Sequence, residues 1–292
     1  MTKKTNRQRR ATASSASRKQ TVDDGKLFHR PDSGRRWFLI GLFLFITFGG
    51  SWLVLMGRQG GGSSRHTFKL IKKHPHDQTL FTQGFVVDAE GRVYESSGQY
   101  GTSTITESEL ATGKQLQQKK LEPRYFGEGL TKWNDTLIQL TWQENTAFVY
   151  DLQFNELKPF EYDGEGWGLT STPTELVMSN GTHRLAFLDP ETFKETRAIW
   201  VRSGRRPISQ LNELEYIGGK IFANQLNSDL IYEIDPANGN VESIIDLNGL
   251  WPESERPEKG MLNGIAFDEK SGHVLVTGKY CPFVYEIEFI PK

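Results

Sequence analysis

Glu128 lies between two glycines in "FGEGLT" (residues 126–131), and the alternating segment that follows, "TLIQLTW", ends on Trp142. A carboxyl beside an indole suits general acid/base work. Apolar surroundings raise its pKa toward neutrality, where the ionised form takes a proton and the neutral form returns it. Glycine on both sides removes two Cβ atoms and lets the backbone approach a ligand or a neighbouring strand. Similar short segments recur along the chain: "FTQGFVVD" with Phe81 and Gln83, "GWGLTST" with Trp167, "LNELEYIG" with Asn212 and Glu213, and "LNGIAFD" with Asn263. Taken singly, each has a bland reading as turn residue, core filler or solvated acid. Their matched positions argue for one shared site.

The elements that would position these residues form a repeat. After each segment comes a short strand, as in "RVYESSG", "TLIQLTW", "ELVMSNG", "KIFANQ" and "HVLVTGK". Measured at Gly84, Gly129, Gly168, Leu214 and Ile265, the spacings are about 45, 39, 46 and 51 residues. A period in this range, built from short alternating strands, predicts an all-β fold of the five-bladed β-propeller type. A third strand per unit reads as "TAFVYDL", "RLAFLDP", "LIYEIDP" and "FVYEIEF". The outer strand of the last unit is expected from "HTFKLIKK" (66–73), which would close the ring and hide two sheet edges. A β-sandwich is the alternative fold, but it leaves the repeat unexplained. In a propeller the first strands line a central channel, so Gln83, Glu128, Trp167, Asn212 and Asn263 would converge on one axis.

Composition separates the domain from what precedes it. Residues 1–36 carry eleven Lys/Arg against three acids, a net of +8 in a chain whose total is −1, so the remainder is near −9. This segment has too little apolar content to fold and reads as a disordered basic cytoplasmic tail. "WFLIGLFLFITFGGSWLVLM" (37–56) has no charge in twenty residues, enough for a helix to cross about 30 Å of hydrocarbon. The basic flank places the N-terminal side in the cytoplasm and the domain outside it. The expectation is a single-pass inner-membrane protein with a periplasmic domain. A cleaved twin-arginine signal is the rival reading, since Arg35 and Arg36 precede Phe38 and Leu39, yet no A-x-A-like cleavage site follows.

A Gly/Ser linker (57–65) leads to the domain proper, residues 66–292, expected as a monomer. Cys281 is the single cysteine, so no intramolecular disulfide can form. The six histidines show no ligand-like clustering, and "GEGWGL" lacks the spacing and following helix of a nucleotide loop. The basic tail is explained by membrane topology rather than by nucleic acid. Carbonyl and Asn or Glu oxygens in a channel are compatible with a structural calcium ion.

"FTQGF", "YESSGQYGTS", "FGEGLT", "LTW", "WGL", "LNELEY", "ANQLNSD", "LNGIAFD" and "TGK", in this order, resemble the plant and bacterial type of glutaminyl-peptide cyclotransferase. The resemblance spans residues 66–292. It implies cyclisation of N-terminal glutamine to pyroglutamate with loss of ammonia, on peptides or proteins, with no metal required. It also implies Glu128 as catalytic acid/base, Phe81 and Gln83 beside it, Trp142 and Trp167 as pocket indoles, Asn212 as a polar substrate contact, and Lys279 in the last blade. Gln83, Asn212 and Lys279 are all candidates to hold the carbonyl oxygen. Leu226 and Cys281 stand where the family usually has aromatics, which would thin the aromatic box. A tethered peptide-binding propeller without turnover is the alternative function.

Overall fold

The computed structural model describes residues 63–292. The basic tail, the apolar run 37–56 and residues 57–62 of the linker lie outside the described residues. Among the described residues no helix is long and apolar enough to cross a membrane.

The described chain is all-β apart from one 3-10 turn, Glu253–Glu255. β1 (Ser64–Pro75) comes first. A four-stranded antiparallel sheet follows: β2 (Thr82–Val87), β3 (Arg92–Ser97), β4 (Thr104–Glu109) and β5 (Gln115–Lys120). The order repeats with β6 (Gly127–Trp133), β7 (Thr136–Thr141), β8 (Thr146–Asp151) and β9 (Phe160–Glu161), then with β10 (Leu169–Ser171), β11 (Leu176–Ser179), β12 (Arg184–Leu188) and β13 (Glu195–Trp200). A hairpin, β14 (Arg202–Ser203) and β15 (Arg206–Pro207), leads to β16 (Leu211–Ile217), β17 (Lys220–Gln225), β18 (Leu230–Ile234) and β19 (Val241–Asp246). The last strands are β20 (Met261–Asp268), β21 (His273–Lys279) and β22 (Phe283–Pro291).

β1 completes this last group. It pairs antiparallel with β22 from His66↔Pro291 to Pro75↔Phe283, and parallel with β19 from Ser64↔Ser243 to His66↔Ile245. The two final groups thereby become one eight-stranded sheet. The pairing begins earlier than linker composition suggests: Ser64 and Arg65 already lie in β1, and Ser63 Oγ bonds Val241 O at 2.9 Å. Backbone hydrogen bonding to an open edge needs no particular side chain, so composition could not mark this boundary.

Each sheet packs face to face on the next. Tyr94 and Ile105 meet Leu130, Leu137 and Phe148; Ile138 and Leu140 meet Leu169 and Leu176. Val177 and Phe187 meet Leu214 and Ile221, and Phe85 and Val93 meet Ala266 and Leu275. Sheets covered on both faces explain why β7 reads as a nearly continuous buried run rather than a strict alternation.

The first strands pack side by side in the order β2, β6, β10, β16, β20 and back to β2. Small residues set their separation. A Cβ on Gly129 would come within 2.5 Å of Leu169 N and Trp167 O, and one on Gly168 would collide with Asn212 O. The two glycines flanking Glu128 therefore serve strand contact: Gly129 N–H donates to Trp167 O at 2.6 Å, and Gly127 faces Gln139 Nε2. At β16 no glycine is present, and Glu213 Oε2 instead accepts Ile265 N–H at 2.8 Å across to β20.

Gly168→Ala should overpack this contact and cost about 1–3 kcal/mol. The expected outcome is a lower denaturation midpoint at unchanged m-value, read by urea unfolding.

Candidate active site

The register of four of the five first strands, all but β10, breaks where a candidate side chain sits. Irregularities fall between Thr82 and Gly84, Gly127 and Leu130, Leu211 and Leu214, and Leu262 and Ile265. These intervals hold Gln83, Glu128, Asn212 with Glu213, and Asn263. A bulge leaves its residue out of the ladder and re-aims the side chain, here toward the space shared by the first strands.

Phe81, Gln83, Glu128, Trp142, Trp167, Asn212 and Lys279 all line one cavity of about 200 Å³, together with Phe126 and Leu226. The structure thus brings together the seven residues that the family resemblance implies for the site. Cys281 is not among the lining residues; it is buried beside Trp251 and Tyr285. Its place in the sequence suggested a thinned aromatic wall, yet the turn it belongs to presents Tyr280, which packs edge-on to Phe81 at 5.3 Å. Leu226 does line the cavity, as expected.

Glu128 is 5% exposed. Gln83 Nε2 donates to its Oε1 at 2.7 Å, and Asn263 Nδ2 donates to Gln83 Oε1 at 3.2 Å. The second bond fixes which end of the Gln83 amide faces the carboxyl. Burial pushes the Glu128 pKa well above the usual carboxylate value; Lys279 and the Gln83 bond oppose this, and Glu165 and Glu144 add to it. Lys279 is buried too, with Nζ 4.6 Å from the Phe81 ring centre. Its pKa is lowered to about 8, with burial pulling it down against the upward pull of Glu128. Asn212 Oδ1 is buried and has no hydrogen-bond partner, which leaves an acceptor free for an N–H group.

Two contributors, Phe126 and Glu165, escaped sequence reasoning. Phe126 packs edge-on to Trp142 at 5.7 Å and Phe81 at 6.3 Å, forming the apolar wall. Asn263, expected at the shared axis from its matched repeat position, reaches the site through Gln83. Glu165 Oε2 accepts both indole N–H groups, from Trp142 and Trp167, each at 2.9 Å, while Oε1 accepts Gln143 Nε2 at 3.0 Å. These bonds hold its pKa below the usual value. The "EGW" spacing gave one signal for the Trp167 contact, but nothing local announces Trp142.

A further network locks the lysine strand to the Gln83 strand. Thr82 Oγ1 donates to Glu95 Oε1 at 2.6 Å and lies 2.9 Å from Gly278 O. His76 Nε2 meets Glu95 Oε2 at 2.8 Å and its Nδ1 meets Cys281 O at 2.6 Å. Both ring nitrogens face oxygen acceptors, which favours the imidazolium. Burial alone would lower the His76 pKa, but Glu95 and the carbonyl raise it above its ordinary value.

Among the described residues no three His, Cys, Asp or Glu side chains are grouped as a metal shell. Glu213 and Glu215 are further acids on β16. Burial, then Glu215, pushes Glu213 well above the carboxylate range, and burial takes Glu215 to about 7.

A family model described as glutamine cyclotransferase matches residues 53–289. The chain belongs to this family. A glutaminyl-peptide cyclotransferase of Arabidopsis thaliana is 37% identical over 254 residues, covering 85% of this chain and 79% of the relative. The crystal structure of Myxococcus xanthus glutaminyl cyclase matches with a TM-score of 0.74 at 32% identity, over 79% of this chain and 99% of that one. For a glutamine cyclotransferase, a buried carboxyl with a raised pKa beside a lysine is a suitable proton store.

Two substitutions should move the Glu128 titration in opposite directions. Lys279→Met removes the charge that favours the carboxylate and should raise the Glu128 pKa; Glu165→Gln removes a repelling charge and should lower it. Carboxyl ¹³C NMR of Glu-labelled protein reads both shifts.

Proposed function

We infer that this cavity cyclises an N-terminal glutaminyl residue to pyroglutamate and releases ammonia, with Glu128 carrying the proton. The observation that carries the reading is the single buried carboxyl, held by Gln83, in an aromatic cavity that also holds Lys279. Family membership supports the substrate class: peptides and proteins that begin with glutamine.

The reaction joins two groups of one molecule, so orientation supplies much of the rate. The neutral α-amine attacks the side-chain amide carbon, and a C–N bond forms as the carbonyl oxygen gains charge. Glu128, as carboxylate, takes the proton released by the attacking nitrogen. It then returns the proton to the amide nitrogen, the old C–N bond breaks, and ammonia leaves. The raised pKa of Glu128 lowers the cost of both transfers, because donor and acceptor strengths come closer to those of the amine. Lys279 stabilises the oxyanion as a fixed positive group in a desolvated site. Gln83 is engaged with Glu128 and holds its orientation. Asn212 Oδ1 accepts an N–H of the substrate, and Phe81, Phe126, Trp142 and Trp167 pack its aliphatic chain. No step of this sequence uses a metal.

The repeat of four-stranded groups and the cyclic packing of their first strands support a five-bladed β-propeller, with β1 as the outer strand of the fifth blade. The lack of an A-x-A-like site after residues 37–56 supports a retained anchor, and the basic flank supports a cytoplasmic tail with the domain on the periplasmic side.

Ammonia release from a Gln-initiated dipeptide tests the chemistry. Glu128→Gln should lose about 10²- to 10⁴-fold in kcat with KM little changed, and parent turnover should survive a chelator. Full activity in Glu128→Gln would remove Glu128 from the proton path. For the anchor, the full chain should stay with membranes through alkaline carbonate extraction; recovery in the supernatant would refute retention.

A further inference from the structure

Trp200, the last residue of β13, is 56% exposed, the largest exposure among the big apolar side chains of the described residues. It precedes the β14–β15 hairpin, "VRSGRRP", in which Arg202, Arg205 and Arg206 are all exposed. Arg65, at the start of β1, is exposed as well. Among the described residues none of these four guanidiniums has a carboxylate within 4.0 Å, although Arg92, Arg124, Arg184, Arg197 and Arg256 all do.

The four are neighbours in space. Arg202 N–H donates to Gly239 O at 2.9 Å and its Nε to Asn240 Oδ1 at 3.1 Å, while the backbone of Gly239 lies against that of Trp200. Arg206 and Arg65 both bear on the Tyr232 hydroxyl. Glu242, on the neighbouring strand β19, is already paired with Lys220 at 2.7 Å. The result is a cationic patch with one indole beside it; Asp246, the acid on which Arg65 acts, is itself paired with Lys292.

The chain enters the domain at this patch. Ser63 Oγ lies 2.9 Å from Ser203 Oγ, within the arginine hairpin. Six residues, 57–62, separate Ser63 from Met56, the end of the apolar run. Extended, that stretch reaches roughly 25 Å. If the run is embedded as proposed above, on which this inference rests, the hairpin is held close to the bilayer surface. Arginines near a bilayer are drawn to anionic headgroups, and tryptophan settles at the apolar–polar boundary.

We propose that Trp200 and the arginines 65, 202, 205 and 206 form a docking surface for anionic phospholipid headgroups. The anchor supplies attachment, and this patch sets how the domain rests on the membrane. Its occupant is the lipid surface rather than a nucleic acid or a second protein.

The test uses the full chain with a site-specific protease site placed within residues 58–62, reconstituted into phosphatidylcholine vesicles with or without phosphatidylglycerol. After cleavage the vesicles are pelleted, and cyclase activity is assayed in both fractions to report folded domain. The severed domain is expected to leave neutral vesicles, to stay on anionic ones at low salt, and to leave those at high salt. Arg202→Gln/Arg205→Gln/Arg206→Gln should weaken the anionic binding by about a hundredfold, roughly fivefold per arginine, with unchanged turnover in solution. Trp200→Ser should weaken binding without changing its salt dependence. Equal release from both vesicle types, or retention of the triple variant at the parent level, would overturn the proposal. Carbonate extraction of the uncut chain fails only if the anchor reading fails, so the two outcomes are separable.

Discussion

The whole site depends on how closely the first strands approach one another. Where Gly129 faces Leu169 and Gly168 faces Asn212, backbone meets backbone with no side chain between. At such separation a regular ladder would direct alternate side chains into a space too narrow for them. The strands bulge instead at Gln83, Glu128, Asn212 and Asn263. The bulges release these residues from strand pairing and turn them to a common centre. Tight packing and a polar cavity are two results of the same constraint.

Within that centre, charge is arranged by desolvation more than by attraction. Glu128 and Lys279 are each pushed toward neutrality by burial, and each is pulled back by the other. Glu165 lies beside this pair and binds two indole N–H groups with one oxygen. It sets the spacing of the aromatic wall and places a negative charge where it favours the protonated form of Glu128. The same carboxylate thus couples the shape of the cavity to its acidity.

The strands and their repeat were legible in the sequence because each unit restarts with a similar turn and a short apolar run, as in "FTQGF" and "FGEGL". The cavity residues were legible from their matched positions together with the family motifs. Phe126 was not, since it precedes β6 in an irregular stretch where an aromatic carries no periodic signal. Glu165 could not be found locally, because its second partner, Trp142, lies 23 residues earlier in the chain, after β7. The end of the linker was hidden as well. Ser64 and Arg65 look like spacer, yet an open β19 edge recruits their backbone. Cys281 misled in the other direction: its position suggested a cavity wall, but the left-handed residue before it, Tyr280 (φ 60°), turns the chain so that the sulfur enters the core.

The placement of β1 has a consequence for biogenesis. Its neighbours, β19 and β22, are among the last parts of the chain to be made, although β1 is the first strand of the domain. Pairing across so long a stretch is slow, because the loop must close before the contacts repay it. A partly synthesised domain would carry the open edge of β19 and an unpaired β1, and would lack β21 with Lys279. Such an intermediate is both aggregation-prone and catalytically incomplete. The cavity is therefore completed late, since Lys279 joins Glu128 only once β21 has been made.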